Sequence, residues 1–393
     1  MTSEGQQLKD RYFWAILVAV ILIPLLIISL FVACGFYEPL PQLFVGVDAA
    51  YDDIGEIKQF VDEASSYANT IVLGSTGITH NFSKLNEACQ YIYDHGMYFM
   101  IYAHPIAKPE ELLVQRQWII DAKPRWGNKF LGLYAYDEPA GRQLDNATLK
   151  VLSDSEWFAD NYTDAANKYE DALTLIINHT INDQMGGAGL PLFTSDYALY
   201  WFDYKASYDT VFAEFGWNYS RQLNVALCRG AANVQNKDWG IMITWTYTQP
   251  PYLEYASVLY DDMVLAYDNG AKYILVFDTN ENYTHTVLDN TRLDAMKQFW
   301  QYTQAHPRSS NPIRNRVAYV LPNGFGYGFR GPNDIIWGLW HDDDFSLAIS
   351  TELGGLFEKY QNRLDIIYDD GLEAGNSYGY SRLIFWNGTV WVP

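Results

Sequence analysis

Apolar and polar positions alternate in blocks along most of the chain. From residue 43 to 305, short apolar runs rich in Val, Ile, Phe and Tyr end at polar or glycine turns, and each is followed by a stretch with helical spacing. Short runs that are apolar on both faces indicate strands buried on both sides, as in parallel sheets covered by helices. The pattern predicts strands over Leu43–Ala49, Thr70–Ser75, Met97–His104, Phe130–Asp137, Pro191–Ser195, Thr210–Phe215, Gly240–Thr246 and Lys272–Thr279. Helices are predicted over Ile54–Tyr67, Phe82–His95, Pro109–Ile120, Asp164–Ile181, Tyr197–Tyr204, Ser220–Val234, Leu253–Asp268 and Thr291–Ala305. Eight strands alternating with helices predict an α/β fold, a (β/α)8 barrel over 43–305. A doubly wound open sheet is the competing arrangement, and no glycine-rich dinucleotide fingerprint accompanies it.

The flanks differ. Tyr12–Ala33 is 22 residues without a charge, long enough to cross a bilayer as a helix. Lys9 and Arg11 precede it, and no Lys or Arg follows until Lys58, so the pattern predicts a transmembrane anchor over 12–34 with residues 1–11 cytoplasmic and the body outside. A cleaved leader, or lipidation at Cys34, is the lesser alternative. Leu144–Phe158 reads as an irregular segment over the barrel mouth. Residues 306–315, rich in Pro, Ser, Asn and Arg, form a linker. A smaller α/β unit over 316–393 is expected, with strands at Val317–Leu321, Leu364–Tyr368 and Arg382–Trp386 around a helix over Leu347–Tyr360.

Composition narrows the function. The net charge of −21 makes nucleic acid and anionic lipid surfaces poor partners. Of three cysteines, Cys89 and Cys228 fall in predicted helices as small buried residues, with a disulfide between them an open option. No CxxC or HExxH spacing argues for a metal, and no cofactor is implied. Asn-x-Ser/Thr sequons begin at Asn81, Asn146, Asn161, Asn178, Asn218, Asn282 and Asn387, more than chance spacing supplies, which suggests a glycosylated, outward-facing protein.

In a (β/α)8 barrel, chemistry sits at the carboxyl ends of the strands. Here those ends carry Asp48, Ser75, His104, Asp137 with Glu138, Asp196, Glu214, Thr246 and Asp278. Aromatics crowd the same rim: Tyr51, Tyr134, Tyr136, Tyr197, Trp217, Trp245, Tyr247 and Tyr252. Carboxyls among flat aromatic faces suit a sugar, which offers C–H faces and many hydroxyls. Glycoside hydrolysis needs one carboxyl to protonate the leaving oxygen and a second group to attack or stabilise the anomeric carbon. Glu138 is the candidate acid and Asp137 its partner, with Glu214 and Asp278 as reserve carboxylates. Asp48, His104, Tyr136, Asp196, Trp217, Trp245 and Tyr247 are candidate substrate-binding residues.

Tyr136-Asp137-Glu138-Pro139 at a fourth strand resembles the (β/α)8 glycoside hydrolase superfamily, and the resemblance spans roughly 43–305. In the broad clan with an acid/base Glu after strand four, Asn usually precedes that Glu; here it is Asp137. That clan also carries a nucleophilic Glu at the end of strand seven, where this chain has Thr246. The resemblance therefore implies one of two arrangements. Either Asp137 and Glu138 act as in hexosaminidases that use the substrate's acetamido group, or Glu214 or Asp278 completes the pair. Adjacent strand residues point to opposite faces, so the first arrangement requires a bulge or turn at Asp137. The expected function is an anchored glycoside hydrolase acting on a carbohydrate; a catalytically silent, glycan-binding barrel is the competitor.

Overall fold

The computed structural model describes residues 40–104, 108–145, 150–152, 159–308, 315–372 and 376–392. The chain divides into 1–42 and 43–393. The predicted anchor, Cys34, the sequon at Asn146 and most of the 144–158 segment and of the linker lie outside the described residues. Among the described residues no helix is long and apolar enough to cross a membrane.

Eight parallel strands close into a barrel in sequential order: β1 (Phe44–Ala49), β2 (Thr70–Leu73), β3 (Tyr98–Ala103), β4 (Phe130–Ala135), β5 (Leu192–Asp196), β6 (Thr210–Phe215), β7 (Asp238–Ile243) and β8 (Tyr273–Asp278). Closure is made by β8 against β1, with Val47 beside Val276 and Asp48 beside Phe277. Between the strands run α1 (Ile54–Ala64), α2 (Thr76–Thr79), α3 (Phe82–Asp94), α4 (Pro109–Trp126), α5 (Pro139–Leu144), α6 (Tyr162–Ile176), α7 (Tyr200–Lys205), α8 (Arg221–Val234), α9 (Ala256–Asp268) and α10 (Asn290–Ala305). The carboxyl ends of β2, β3, β4, β7 and β8 fall one to three residues short of the predicted bounds, because the polar residues at the rim leave the ladder to form loops. Elements not predicted include the single turn α2, the short helix α5, and a π-helical run Ile177–Gln184 that prolongs α6.

The strands alternate in facing. Phe44, Val72, Tyr98, Met100, Leu131, Tyr134, Phe193, Phe212, Met242, Tyr273 and Leu275 pack together inside the barrel. The intervening residues, such as Val45, Val211, Ile274 and Val276, join the larger outer core against the helices. Both faces are apolar, which is why the strands lack visible alternation in sequence.

The C-terminal unit is a four-stranded sheet in the order β10 (Leu364–Tyr368), β9 (Val317–Leu321), β11 (Arg382–Phe385), β12 (Val390–Trp391). Its helix α11 (Asp344–Tyr360) starts at a capping box on Asp343. The sheet packs on the barrel through α8, where Arg229 reaches Asp365. Its long loop returns to the barrel rim: the Gln143 side chain donates to Trp337 O at 2.8 Å, and Arg330 pairs with Asp145 at 2.7 Å. The unit is thus part of the wall behind α5. Cys89 and Cys228 are buried free thiols, so the disulfide option falls. The sequon asparagines that are described, Asn81, Asn161, Asn178, Asn218, Asn282 and Asn387, are all exposed.

Candidate active site

The carboxyl ends of β4, β5, β6 and β7 enclose a cavity of about 240 Å³ lined by Asp137, Glu138, Arg142, Ser195, Glu214, Trp217, Met242, Thr244, Trp245, Phe277 and Tyr283. A second lobe of about 390 Å³ shares Asp137, Arg142, Phe277 and Tyr283 with it and extends past β1 and β2 to Asp48, Asp52 and Ser75.

Chain geometry at β4 brings the two adjacent acids to the cavity. The strand ends at Ala135, and Tyr136 and Glu138 take left-handed backbone angles, φ 56° and 53°. Such conformations are costly for residues with a Cβ and cluster where function demands them. The turn at Tyr136 and Glu138 breaks strand alternation, so Asp137 and Glu138 both line the cavity. The turn is held by Glu138 N donating to Ser195 O at 3.0 Å and Thr194 Oγ1 donating to Tyr136 O at 2.9 Å.

Glu214 arrives by simple register. It lies two residues beyond the inward-facing Phe212 on β6 and is 3% exposed. Burial, then the negative charges of Glu138 and Asp137, push its carboxyl well up, while Ser195 pulls it back. Glu138 is pushed to about 8, by burial first, then by Asp137 and Asp196, with Arg142 and a hydrogen bond with Glu214 acting the other way. With both carboxyls pushed up, the pair keeps at least one proton near neutrality.

Ser195 ties the carboxyls together. Its Oγ lies 2.7 Å from Glu214 Oε1, 3.1 Å from Asp137 Oδ1 and 2.7 Å from the Tyr134 hydroxyl. Tyr134 in turn donates to Asp137. Arg142, the one basic side chain among the described residues lining either lobe, donates from Nε to Asp137 O at 2.8 Å. An aromatic wall closes the other side. Trp245 donates from Nε1 to Thr279 O at 3.0 Å, and its ring packs 5.7 Å from Phe277 and 6.4 Å from Tyr283. Trp217 is 40% exposed at the lip.

Several rim candidates face elsewhere. On β8 the inward residues are Tyr273, Leu275 and Phe277, so Asp278 points out of the barrel. Its carboxylate accepts from Thr286 Oγ1, Val287 N and Leu288 N, and it lines neither lobe. Asp278 is thus a loop anchor and is corrected as a reserve nucleophile. On β5 the same parity sends Ser195 inward and Asp196 outward. Asp196 accepts from Ala140 N, Gly141 N and Tyr197 N at 2.7–2.8 Å, fixing the start of α5, and is corrected as a substrate contact. His104, half-buried beside Tyr102 with its imidazole pKa lowered chiefly by burial, lines neither lobe. Tyr136 is the buried turn residue, and Tyr247 is exposed with its hydroxyl 3.2 Å from Glu254. Asp48, Asp137, Glu138, Glu214, Trp217 and Trp245 are brought to the two lobes. At β7 the inward residue is Thr244, two beyond Met242, rather than Thr246. Sequence reasoning did not single out Arg142, Ser195, Thr244, Phe277 or Tyr283. Among the described residues no group of three or more His, Cys, Asp or Glu is arranged to hold a metal.

Behind the site, Asp203 on α7 is wholly buried and accepts a hydrogen bond from Tyr169 at 2.8 Å, its other oxygen having no partner among the described residues. Burial pushes its carboxyl to about 8. The folded protein thus keeps a proton that the unfolded chain releases, so this contribution to stability is present below about pH 4 and is lost as pH rises towards 8. Asp203→Asn mimics the protonated form. We expect it to raise the melting temperature near pH 8 and to change it little near pH 4, the difference being on the order of a few kcal/mol. Thermal melts across pH that run parallel for the two proteins would refute this.

The sequence matches no family model and no curated protein. Solved structures are similar in fold. A GH5_18 protein of Streptomyces cattleya in complex with Manb1-4GlcNAc has a TM-score of 0.54 at 10% identity, covering 88% of this chain and 99% of that chain. A beta-galactosidase from the psychrophilic Marinomonas ef1 has a TM-score of 0.57 at 8% identity, covering 87% of this chain and 72% of that chain. A GH5_18 protein of Bifidobacterium longum, also in complex with Manb1-4GlcNAc, has a TM-score of 0.51 at 11% identity, covering 89% of this chain and 97% of that chain. At these identities the likeness is one of architecture, that of a (β/α)8 barrel.

Proposed function

We propose that the protein is a glycoside hydrolase in which Glu138 and Glu214 are the working carboxyl pair. The observation that carries this reading is that both carboxyls line one aromatic-walled cavity at the carboxyl end of the barrel. Glu138, with its carboxyl pushed up to about 8, holds a proton at neutrality and gives it to the leaving glycosidic oxygen. With the pair's proton on Glu138, Glu214, oriented by Ser195, attacks the anomeric carbon; Glu138, now a carboxylate, then takes a proton from the water that releases the sugar. An inverting pair stands roughly 6.5–9.5 Å apart to admit a water, whereas a retaining pair stands about 5–5.5 Å apart. Two carboxyls that line one cavity of about 240 Å³, the charge of one raising the other, suit the nearer spacing and so retention. A second carboxyl within reach makes a nucleophile borrowed from the substrate unnecessary, so Asp137 is read as the group that holds Arg142, Tyr134 and Ser195 in register. The fold shared with the named glycosidase structures supports the reading. Its test is release of sugar from a panel of glycans by the protein and by Glu138→Gln; equal release by both removes Glu138 from the mechanism.

The proposed setting is the outer side of a membrane, with Tyr12–Ala33 as anchor. Extraction of the full chain from membranes by alkaline carbonate would overturn it. One observation favours the silent barrel: Asn282, a sequon, lines the second lobe. A glycan there would obstruct the cleft. Under the hydrolase reading, peptide mapping by mass spectrometry finds Asn282 bare; a glycosylated Asn282 with no turnover of any glycan favours a binding role.

A further inference from the structure

The second lobe holds more carboxyl groups than the chemistry of Glu138 and Glu214 requires. Asp48, Asp52 and Asp137 line it, and among the described residues Arg142 is the only basic side chain that does. Arg142 is bonded to the Asp137 backbone and its charge is set against Asp137 and Glu138. That leaves Asp48 and Asp52 without a cation. Asp52 accepts from the Ser75 hydroxyl at the exposed edge. Asp48 lies deeper, 3% exposed, and its Oδ1 has no hydrogen-bond partner among the described residues. It sits against Gly74, where any Cβ would come within 2.1 Å of that oxygen, so the absence of a side chain at Gly74 is what lets the carboxyl occupy the lobe. An uncompensated buried carboxyl is costly, and a bound cation relieves the cost. Burial, with Asp137 and Asp278 nearby, also raises the Asp48 carboxyl well above its ordinary value. The three acids are not grouped to share a metal ion.

From this arrangement we infer that the second lobe takes a sugar unit carrying a protonated amine, a hexosamine without its acetyl group, with the ammonium against Asp48 and the hydroxyls among Ser75, Thr76 and Tyr102. Rings of Phe277 and Tyr283, shared between the lobes, give the sugar an apolar face. The chain's net charge of −21 draws a polycationic glycan towards the cleft over long range. This inference rests on the hydrolase reading for its place along the glycan, but not for its chemistry, which is that of charge and hydrogen bonding.

The test is calorimetric binding to the full chain carrying Glu138→Gln, which suppresses turnover. Oligosaccharides of equal length are compared: glucosamine, galactosamine, N-acetylglucosamine and glucose oligomers, with spermidine as an amine that is not a sugar. The expected result is that one or both amine-bearing oligomers bind about tenfold or more tighter than the acetylated and neutral ones, with a preference that weakens as salt is added. Adding Asp48→Asn is expected to abolish that preference, and Asp52→Asn, at the exposed edge, to reduce it about threefold. Equal binding of all the oligomers overturns the inference, as does a preference that survives both substitutions. Spermidine binding as tightly as the amino sugars overturns the sugar part of it. Cleavage of neutral glycans by the unsubstituted protein, without amine preference, sinks this inference and leaves the hydrolase reading standing. Amine preference without turnover of any glycan has the reverse meaning.

Discussion

Glu138→Gln is expected to lower kcat/KM on natural glycosides by about 10²–10⁴, the range for loss of a positioned general acid. The same variant should lose far less on aryl glycosides whose leaving group departs without a proton. Glu214→Gln should be as damaging on both substrate types, because a nucleophile is needed whatever leaves. The contrast separates the two roles, which burial and register alone assign. If the two variants behave alike on both substrates, the division of labour between β4 and β6 is wrong. A basic limb in the rate profile is expected near pH 8, where Glu138 loses the proton the pair holds. The sign comes from the direction of the shift: raised carboxyls keep the acid form available at neutrality, so activity falls as pH climbs through that value. In Glu138→Gln the limb should vanish from whatever activity is left.

How much of this was legible in the chain depends on which face of each strand is asked about. The barrel itself was plain, since eight apolar runs alternating with helical stretches permit few other arrangements. Glu214 was legible for the same reason, lying on a run whose bounds, Thr210–Phe215, match the strand. The errors at Asp196 and Asp278 share one cause. In both strands the last acid was read as facing the site, although Phe193 and Ser195, and Tyr273, Leu275 and Phe277, are the inward positions. When helices cover the outside of a barrel, both faces are apolar and parity leaves no trace in hydropathy. Strand β4 adds a second obstacle. Its pairing with β3 slips between Phe99 and Met100, and the inward residues become Leu131 and Tyr134, three apart. A count by twos from Leu131 reaches Asp137 and one from Tyr134 reaches Glu138, so parity alone does not choose between the adjacent acids. The left-handed turn at Tyr136 and Glu138 then undoes the strand alternation that argued against two adjacent acids in one cavity. Arg142 escaped because its role is electrostatic and depends on where α5 starts, which Asp196 decides from another strand.

Arg229→Leu is expected to cost about 3–5 kcal/mol of stability, the loss typical of breaking a buried ion pair from one side. Arg229, 2% exposed on α8, spends its whole fork on the C-terminal unit and the end of α9. Its Nε donates to Asp365 Oδ1 at 2.7 Å, Nη1 to Asn269 Oδ1 at 2.6 Å, and Nη2 to the carbonyls of Asn362 and Leu364 at 2.8 and 3.1 Å. Asp365 is fully buried on β10, with Tyr380 donating to its other oxygen at 2.8 Å and Arg316 at 3.5 Å. Removing the guanidinium strands a buried carboxylate and three acceptors at once, and Tyr380 with the more distant Arg316 can answer only for one oxygen. The neighbouring Gly230 lies so close to β10 that a Cβ would stand 2.3 Å from Ile366 O, so the helix cannot shift to admit water without losing its seat on the sheet. Denaturant titration with separate probes on the barrel and on the C-terminal sheet measures the effect. We expect the sheet to unfold at lower denaturant than the barrel in Arg229→Leu, where the unsubstituted protein shows one transition. Replacing Asp365 by Leu as well should recover part of the loss, since an apolar pair in place of a buried ion pair is often neutral. A loss below about 1 kcal/mol in the single variant would mean that the interface, not the ion pair, holds the sheet against α8.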